Sequence, residues 1–393
     1  MNSSQQITDL GNQAFAEMVR FRRHICQNPE LGRAEYATQQ FIITELEKLG
    51  LAPRIAADTG VICDIVGTTP GKTVALRADM DALPVEDALT VEYRSKIYGM
   101  KHACGHDGHV AMILGTAKIF TGLKGFPGRI RLLFQPDEEG RGGAERLIAE
   151  GAMEGVDYVL GSHLWPTLPV GKIGITFGAM MASADEFQID ILGKGGHASM
   201  PHHTIDTLHI GVQIITALKQ ISAQNVDPFE PALIVVGSFK AGETFNVIPE
   251  NARILGSIRT YSNDIRQQLG KLLKRTVEGI AAIHGATSSV TMFPGYLPVI
   301  NDNAVAKVVQ SAGQILLGAE NVLECRPYLA SEDFSYYQRE APGCFIWVGC
   351  ADSLTGKDCP LHHPRFDIDE KALLHGSSVM TLAALKLLNV MGD

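Results

Sequence analysis

The chain lacks a surplus of positive charge, lacks long apolar runs and has few cysteines, and each shortage removes a class of protein. Its 34 Lys and Arg against 43 Asp and Glu leave a formal net charge of -9. Such a balance attracts neither a phosphate backbone nor an anionic headgroup, so no nucleic acid and no membrane is expected as a partner. No stretch approaches the roughly 20 apolar residues that span a bilayer. The opening MNSSQQITDLGNQAF has neither the basic start nor the apolar run of a secretory signal. The seven cysteines, at 26, 63, 104, 325, 344, 350 and 359, are odd in number and thinly spread. Disulfide frameworks are dense and evenly paired, so a reducing cytoplasm is the expected setting. Internal repeats, low-complexity tracts and charge runs are missing too.

What is present reads as an ordinary globular chain, with 45% apolar and 20% charged residues. Its 393 residues exceed the usual size of one hydrophobic core, which predicts two domains. Helical spacing is expected over 7–25 and 35–50, the second carrying Phe41, Ile42, Leu46 and Leu49 on one face. Short apolar runs at 61–66, 73–76, 130–134, 158–160 and 345–348 predict strands, with helices between them near 106–123 and 141–150. This alternation predicts an α/β fold with a mostly parallel sheet flanked by helices.

The middle of the chain changes pattern. Phe187, Ile189 and Ile191 alternate with Gln188, Asp190 and Leu192, as in a half-buried strand. A helix near 206–223, strands near 232–239 and 251–260, a helix near 264–283 and a strand near 287–293 follow. The order β-α-β-β-α-β is that of a ferredoxin-like α+β unit. The expected domains are therefore 1–182 with 298–393, and an insertion at 183–297.

Polar residues cluster just behind the predicted strands. Asp79 and Asp81 follow 73–78, Asp137, Glu138 and Glu139 follow 129–135, and His163 follows 157–162. Open α/β sheets bind ligands outside the carboxyl ends of their strands, so these segments would deliver to one edge. The stretch His102–His109, HACGHDGH, adds a thiol and three imidazoles within eight residues. Cys, His and Glu are ligands for divalent transition metals. Two of them two residues apart, with Glu138-Glu139, His163 and His362-His363 far away in the chain, predict a site assembled by folding. A zinc knuckle would need cysteine pairs at both ends. Taken singly, the Cys-Gly-His could be a polar loop and the glutamate pair a solvated turn.

Taken in order, RADMDALPVED, HACGHDGH, QPDEEGRGGAERLI, GSHLWP, GKGGHASMPHHTID, NVIPENA, SEDFSYY and LHHPRFD span nearly the whole chain. As a set they resemble the successive motifs of metal-dependent amidohydrolases of the hippuricase, aminoacylase and indole-acetyl-amino-acid hydrolase type. That branch belongs to a wider group of exopeptidases and deacylases with two co-catalytic metals. The resemblance implies Cys104, His106, Glu139, His163 and His362 as metal ligands, with Glu138 as general base. It implies Asp81 as a support of the metal cluster, and His197 as a residue that reaches a partner subunit's site and steadies the oxyanion. Asn246 and Arg259 match positions that help hold a substrate carboxylate. A homodimer through the inserted lid domain is implied as well. Of the adjacent histidines, position favours His362 over His363.

The chemistry is coherent. Two divalent ions about 3.5–4 Å apart share a hydroxide and polarise an amide carbonyl, and they lower the pKa of water toward about 7. Consecutive carboxylates let one bind metal while the other moves the proton to the leaving nitrogen. Manganese, zinc, nickel and cobalt all suit such ligands. The expected substrate is a small N-acylated amino acid. N-carbamoyl amino acids, N-acetyl-diaminopimelate and dipeptides are alternatives on the same architecture, and a non-catalytic metal- or amino-acid-binding protein is a further one. Carbamoyl-cleaving relatives generally keep His-x-Asp where this chain has Asp79-Met80-Asp81.

Overall fold

The computed structural model describes residues 3–123 and 125–389. The chain divides into two compact units. One comprises Met1–Gly178, Ile300–Arg326 and Asp333–Asp393, the other Ala179–Val299 and Pro327–Glu332. The segment Pro327–Glu332, expected in the catalytic domain, thus belongs with the insertion. Backbone pairing explains the reassignment: Ala182 N–H donates to the carbonyls of Tyr328 and Ala330, and Tyr328 N–H donates to that of Met180.

The first unit is built on an eight-stranded sheet. Its spatial order is Arg54–Ala56, Gly60–Val66, Pro127–Gln135, Thr69–Asp79, Tyr158–Pro169, Gly343–Ala351, Ile173–Ile175 and Val322–Glu324. The four central strands, Pro127–Gln135 to Gly343–Ala351, run parallel. Antiparallel pairings flank them, so the sheet is mixed although its core is parallel. The central strands are continuous buried runs, as sheets covered on both faces require.

The helix His106–Gly122 is apolar nearly all round and therefore lies in the core. It packs against the helices Ser3–Gln27 and Lys371–Asn389. Gly115 permits the close approach, since a Cβ there would sit 2.5 Å from Met18 Cε. Two expectations need correction. The helix near 141–150 is only Ala144–Ala149, because Gly142, at φ 83°, and the turn before it occupy the earlier residues. His163 lies inside the strand Tyr158–Pro169 rather than behind it, since pairing with Gly343–Ala351 continues to Trp165 and beyond.

The second unit holds a four-stranded antiparallel sheet in the order Ala232–Ala241, Asn251–Thr260, Asp185–Leu192, Thr287–Phe293. Phe187, Ile189 and Ile191 are buried in its core with residues of the helices Thr207–Asn225 and Asn263–Ile283. Both helices start on side-chain caps: Asp206 accepts from Leu208 N and His209 N, and Ser262 from Ile265 N. The chain order is β-α-β-β-α-β. Among the described residues, no helix is long and apolar enough to cross a membrane.

Candidate metal centre

The five residues expected to bind metal, Cys104, His106, Glu139, His163 and His362, come together within the first unit. Gly105 sets the spacing of two of them. At φ 88° it turns the chain between Cys104 and His106, a conformation that costs a side-chain-bearing residue about 1–2 kcal/mol. His106 then begins the buried helix, and Cys104 Sγ lies 3.4 Å from His163 Nε2. His362 and Asp137 are themselves held at positive φ, 63° and 58°. Non-glycine residues in this region are costly and concentrate where a side chain must be aimed. At Asp137 the aim is set by Arg33 Nε, which donates to Oδ2 at 2.6 Å, and by Glu35 Oε1, which accepts from Asp137 N at 2.9 Å.

The ligand atoms form overlapping triplets, each within 4.8 Å: Cys104, His106 and His163; Cys104, Glu139 and His362; His106, Glu138 and Glu139. Cys104 belongs to the first two. Glu139 Oε1 stands 3.3 Å from His362 Nε2 and 3.8 Å from His106 Nε2. Glu139 Oε1 and His106 Nε2 are buried without a hydrogen-bond partner, as atoms that face a common cation would be. His363 is held elsewhere: its Nδ1 accepts from Arg365 N at 3.0 Å.

The tautomers agree with a metal role. A carboxylate or carbonyl only accepts, so His106 Nδ1–H donates to Asp81 Oδ1 (3.2 Å) and His163 Nδ1–H donates to the Leu164 carbonyl (2.8 Å). In its neutral form each ring therefore presents the lone pair of Nε2, the usual result of an outer partner orienting a metal-binding histidine. Asp81 spans two ligand segments, since its other oxygen accepts from Glu139 N at 2.9 Å.

Charge tells the same story. Against the cost of burial, Asp79, Asp81 and Glu139 push His106 up to about 10. Burial, with Glu139 and Glu138 nearby, raises the Cys104 thiol well above its ordinary value. Burial beside His109 pushes His163 down to about 3. Without metal, a proton on His106 thus supplies the positive charge that the carboxylates demand. The donor set, the partnerless atoms and this charge deficit all fit divalent cations.

His197, Asn246 and Arg259 lie in the second unit. His197 is exposed on the strand Gly196–His197, opposite Val247, and Ala198 N donates to the Asn246 carbonyl. Its Nδ1 accepts from Ser199 N at 3.1 Å. Asn246 is exposed, and Arg259 is half-buried with Nη1 donating to the Leu329 carbonyl at 2.7 Å.

The chain belongs to the peptidase family M20/M25/M40. That family's model matches residues 75–386. An N-acyl-L-amino acid amidohydrolase of Geobacillus stearothermophilus is 45% identical over 302 residues, covering 76% of this chain and 82% of that protein. Thermostable carboxypeptidase 2 of Saccharolobus solfataricus is 40% identical over 377 residues, 95% of each. The crystal structure of a dinuclear metal binding peptidase of the M20 family from Bacillus subtilis superposes with a TM-score of 0.84 at 34% identity, covering 96% of this chain and all of that one. The donor groups here and this dinuclear metal binding peptidase together support two divalent metals at the site.

Sequence reading gave no role to His109 or Arg77, which the fold places beside the M20 site. His109 Nδ1 is 2.5 Å from Asp79 Oδ1, and Arg77 Nη1 donates to Asp79 Oδ2 at 2.8 Å. The available signal was spacing: His109 is three residues after His106 on a helix, hence on the same face.

Proposed function

We propose that the chain hydrolyses the amide bond of N-acyl amino acids at a centre of two divalent metals, with Glu138 as general base. The observation that carries this is a pair of consecutive carboxylates, Glu138 and Glu139, with oxygens within 4.8 Å of each other and of a ring nitrogen of His106. Cys104, His106, Glu139, His163 and His362 would hold the ions, and Cys104 is common to two of the triplets. When bound, such ions polarise the amide carbonyl and lower the pKa of water at the site. Glu138 takes a proton from the attacking water and returns it to the leaving nitrogen, which would otherwise depart as an amide anion. Asp81 keeps His106 and the Glu139 backbone in register.

His197 of a second copy steadies the developing oxyanion in this reading, and Asn246 and Arg259 hold the substrate carboxylate. Acceptance from Ser199 at Nδ1 supports this role, since neutral His197 then carries its proton on Nε2 and is a donor there. The reading includes a homodimer through the inserted unit, closure of that unit as a lid over substrate, and a cytoplasmic setting. The seven cysteines, all outside disulfides, agree with the last. The metal is one of manganese, zinc, nickel or cobalt.

The N-acyl-L-amino acid amidohydrolase among the relatives favours acyl amino acids, while the carboxypeptidase keeps dipeptides as a second reading. The lack of His-x-Asp at Asp79–Asp81 argues against N-carbamoyl substrates. N-acetyl-diaminopimelate would be a special case of the acyl reading. A binding protein without catalysis would have no use for Glu138. The test is amino-acid release by manganese-loaded protein from N-acetyl, N-benzoyl, N-carbamoyl and dipeptide compounds. Cleavage of the acyl compounds is expected; silence across the panel with metal bound would refute the reading.

A further inference from the structure

The ladder between Tyr158–Pro169 and Thr69–Asp79 ends at the pair Arg77 and Gly161. Past that point the His163 strand has lost its neighbour on one side, at the stretch that carries a ligand. Leu164 is fully buried there, and a buried N–H needs an acceptor. Leu164 N donates to His109 Nε2 at 2.9 Å. His109 therefore has no proton on Nε2, and its Nδ1–H donates to Asp79 Oδ1. Asp79 is fixed in turn by Arg77 Nη1, and Arg77 by Asp333 through Nη2 at 2.8 Å. Asp79, His106 and His109 lie close enough together to suggest a further ligand triplet, yet both nitrogens of His109 are already engaged.

We propose that His109 is a positioning residue for the metal centre. It replaces the missing strand by accepting Leu164 N–H, and so holds the backbone that presents His163 Nε2 to the metal. The same residue, Leu164, accepts His163 Nδ1–H through its carbonyl, so both ends of one peptide segment are pinned around the ligand. The chain Asp333–Arg77–Asp79–His109 transmits that fixity from the buried interior. Outer partners of metal-binding histidines have such leverage: their loss typically costs about 10–100-fold in metal affinity.

This inference rests on the reading of His163 as a ligand, so the experiment includes His163→Ala. Purified full-length protein is stripped of metal and titrated with cobalt against a chromophoric chelator, for wild type, His109→Phe, His109→Gln and His163→Ala. His109→Phe is expected to bind two ions per chain with one affinity lowered about 10–100-fold. Glutamine, whose amide oxygen can accept Leu164 N–H, is expected to restore most of the loss. Activity of His109→Phe should fall at limiting metal through kcat, with KM unchanged. An unaltered affinity, or a stoichiometry of one ion at saturation, overturns the proposal; the second result would make His109 a ligand. Unchanged cobalt binding by His163→Ala overturns the ligand reading itself. Should the variants not fold, the histidine tautomers of zinc-loaded wild type, read by nitrogen-15 NMR, decide the matter. A proton on Nδ1 and none on Nε2 of His109 is expected, and a protonated or zinc-bound Nε2 refutes the clamp.

Discussion

Loading the metal-free protein with divalent ions should expel protons. Metal ligands must be deprotonated, so each group that carries a proton beforehand has to lose it. His106, pushed up to about 10, is protonated at neutral pH, and so is the Cys104 thiol, raised above its ordinary value. His163, pushed down to about 3, is already neutral, and Glu139, held below its ordinary value against burial by His362 and His106, is already ionised. The ligands therefore release about two protons, plus a fraction from His362, which Glu139 raises, and water activated at the site would add up to about one more. With two protons released, the product of the two binding constants should grow about 100-fold for each pH unit between pH 6 and 8, or about 2.7 kcal/mol. Isothermal titration at pH 7 in buffers of different ionisation enthalpy gives the proton count directly. Release of fewer than one proton per pair would refute the charge assignment of the site.

Two further outcomes follow from the same electrostatics. Arg77→Met should destabilise the chain by about 3–5 kcal/mol in denaturant titration, because it removes the guanidinium that pairs with the buried Asp79 and Asp333. Metal-free protein should also lose stability as pH falls. His102 and His163 have folded pKa values of about 4 and about 3, both set mainly by burial, below an unfolded value near 6.5. Their contribution is complete above about pH 6.5 and drains away as pH falls toward 3. Thermal melts of stripped protein between pH 7 and 4 check this, and a midpoint insensitive to pH there would contradict it.

The alternation of apolar runs and helical faces was readable because burial imposes its period on the residues themselves. Phe187, Ile189 and Ile191 betray a strand, and the residues after Phe134 betray a site, without any knowledge of their neighbours. What depended on pairing was less visible. His163 was expected behind its strand because the apolar run stops early, whereas the structure continues the strand through hydrogen bonds to Gly343–Ala351. The residues that come together as candidate ligands were legible because thiol, imidazole and carboxylate are scarce, chemically marked groups. The scaffold around them was not. Asp79 and His109 are 30 residues apart, and Arg77 and Asp333 are 256 apart. The Leu164 group that His109 holds is a backbone N–H, which every residue except proline possesses and no sequence pattern distinguishes. The return of Pro327–Glu332 to the second unit is likewise a matter of backbone pairing.

If Glu138 moves the proton while Glu139 holds metal, the decisive quantity is kcat for Glu138→Gln on an N-acyl amino acid, with metal content determined on the same sample. The variant should bind two ions per chain and show a kcat lower by about 10²–10⁴-fold, the usual contribution of a positioned acid-base group. Turnover equal to wild type with both ions bound would contradict that role for Glu138.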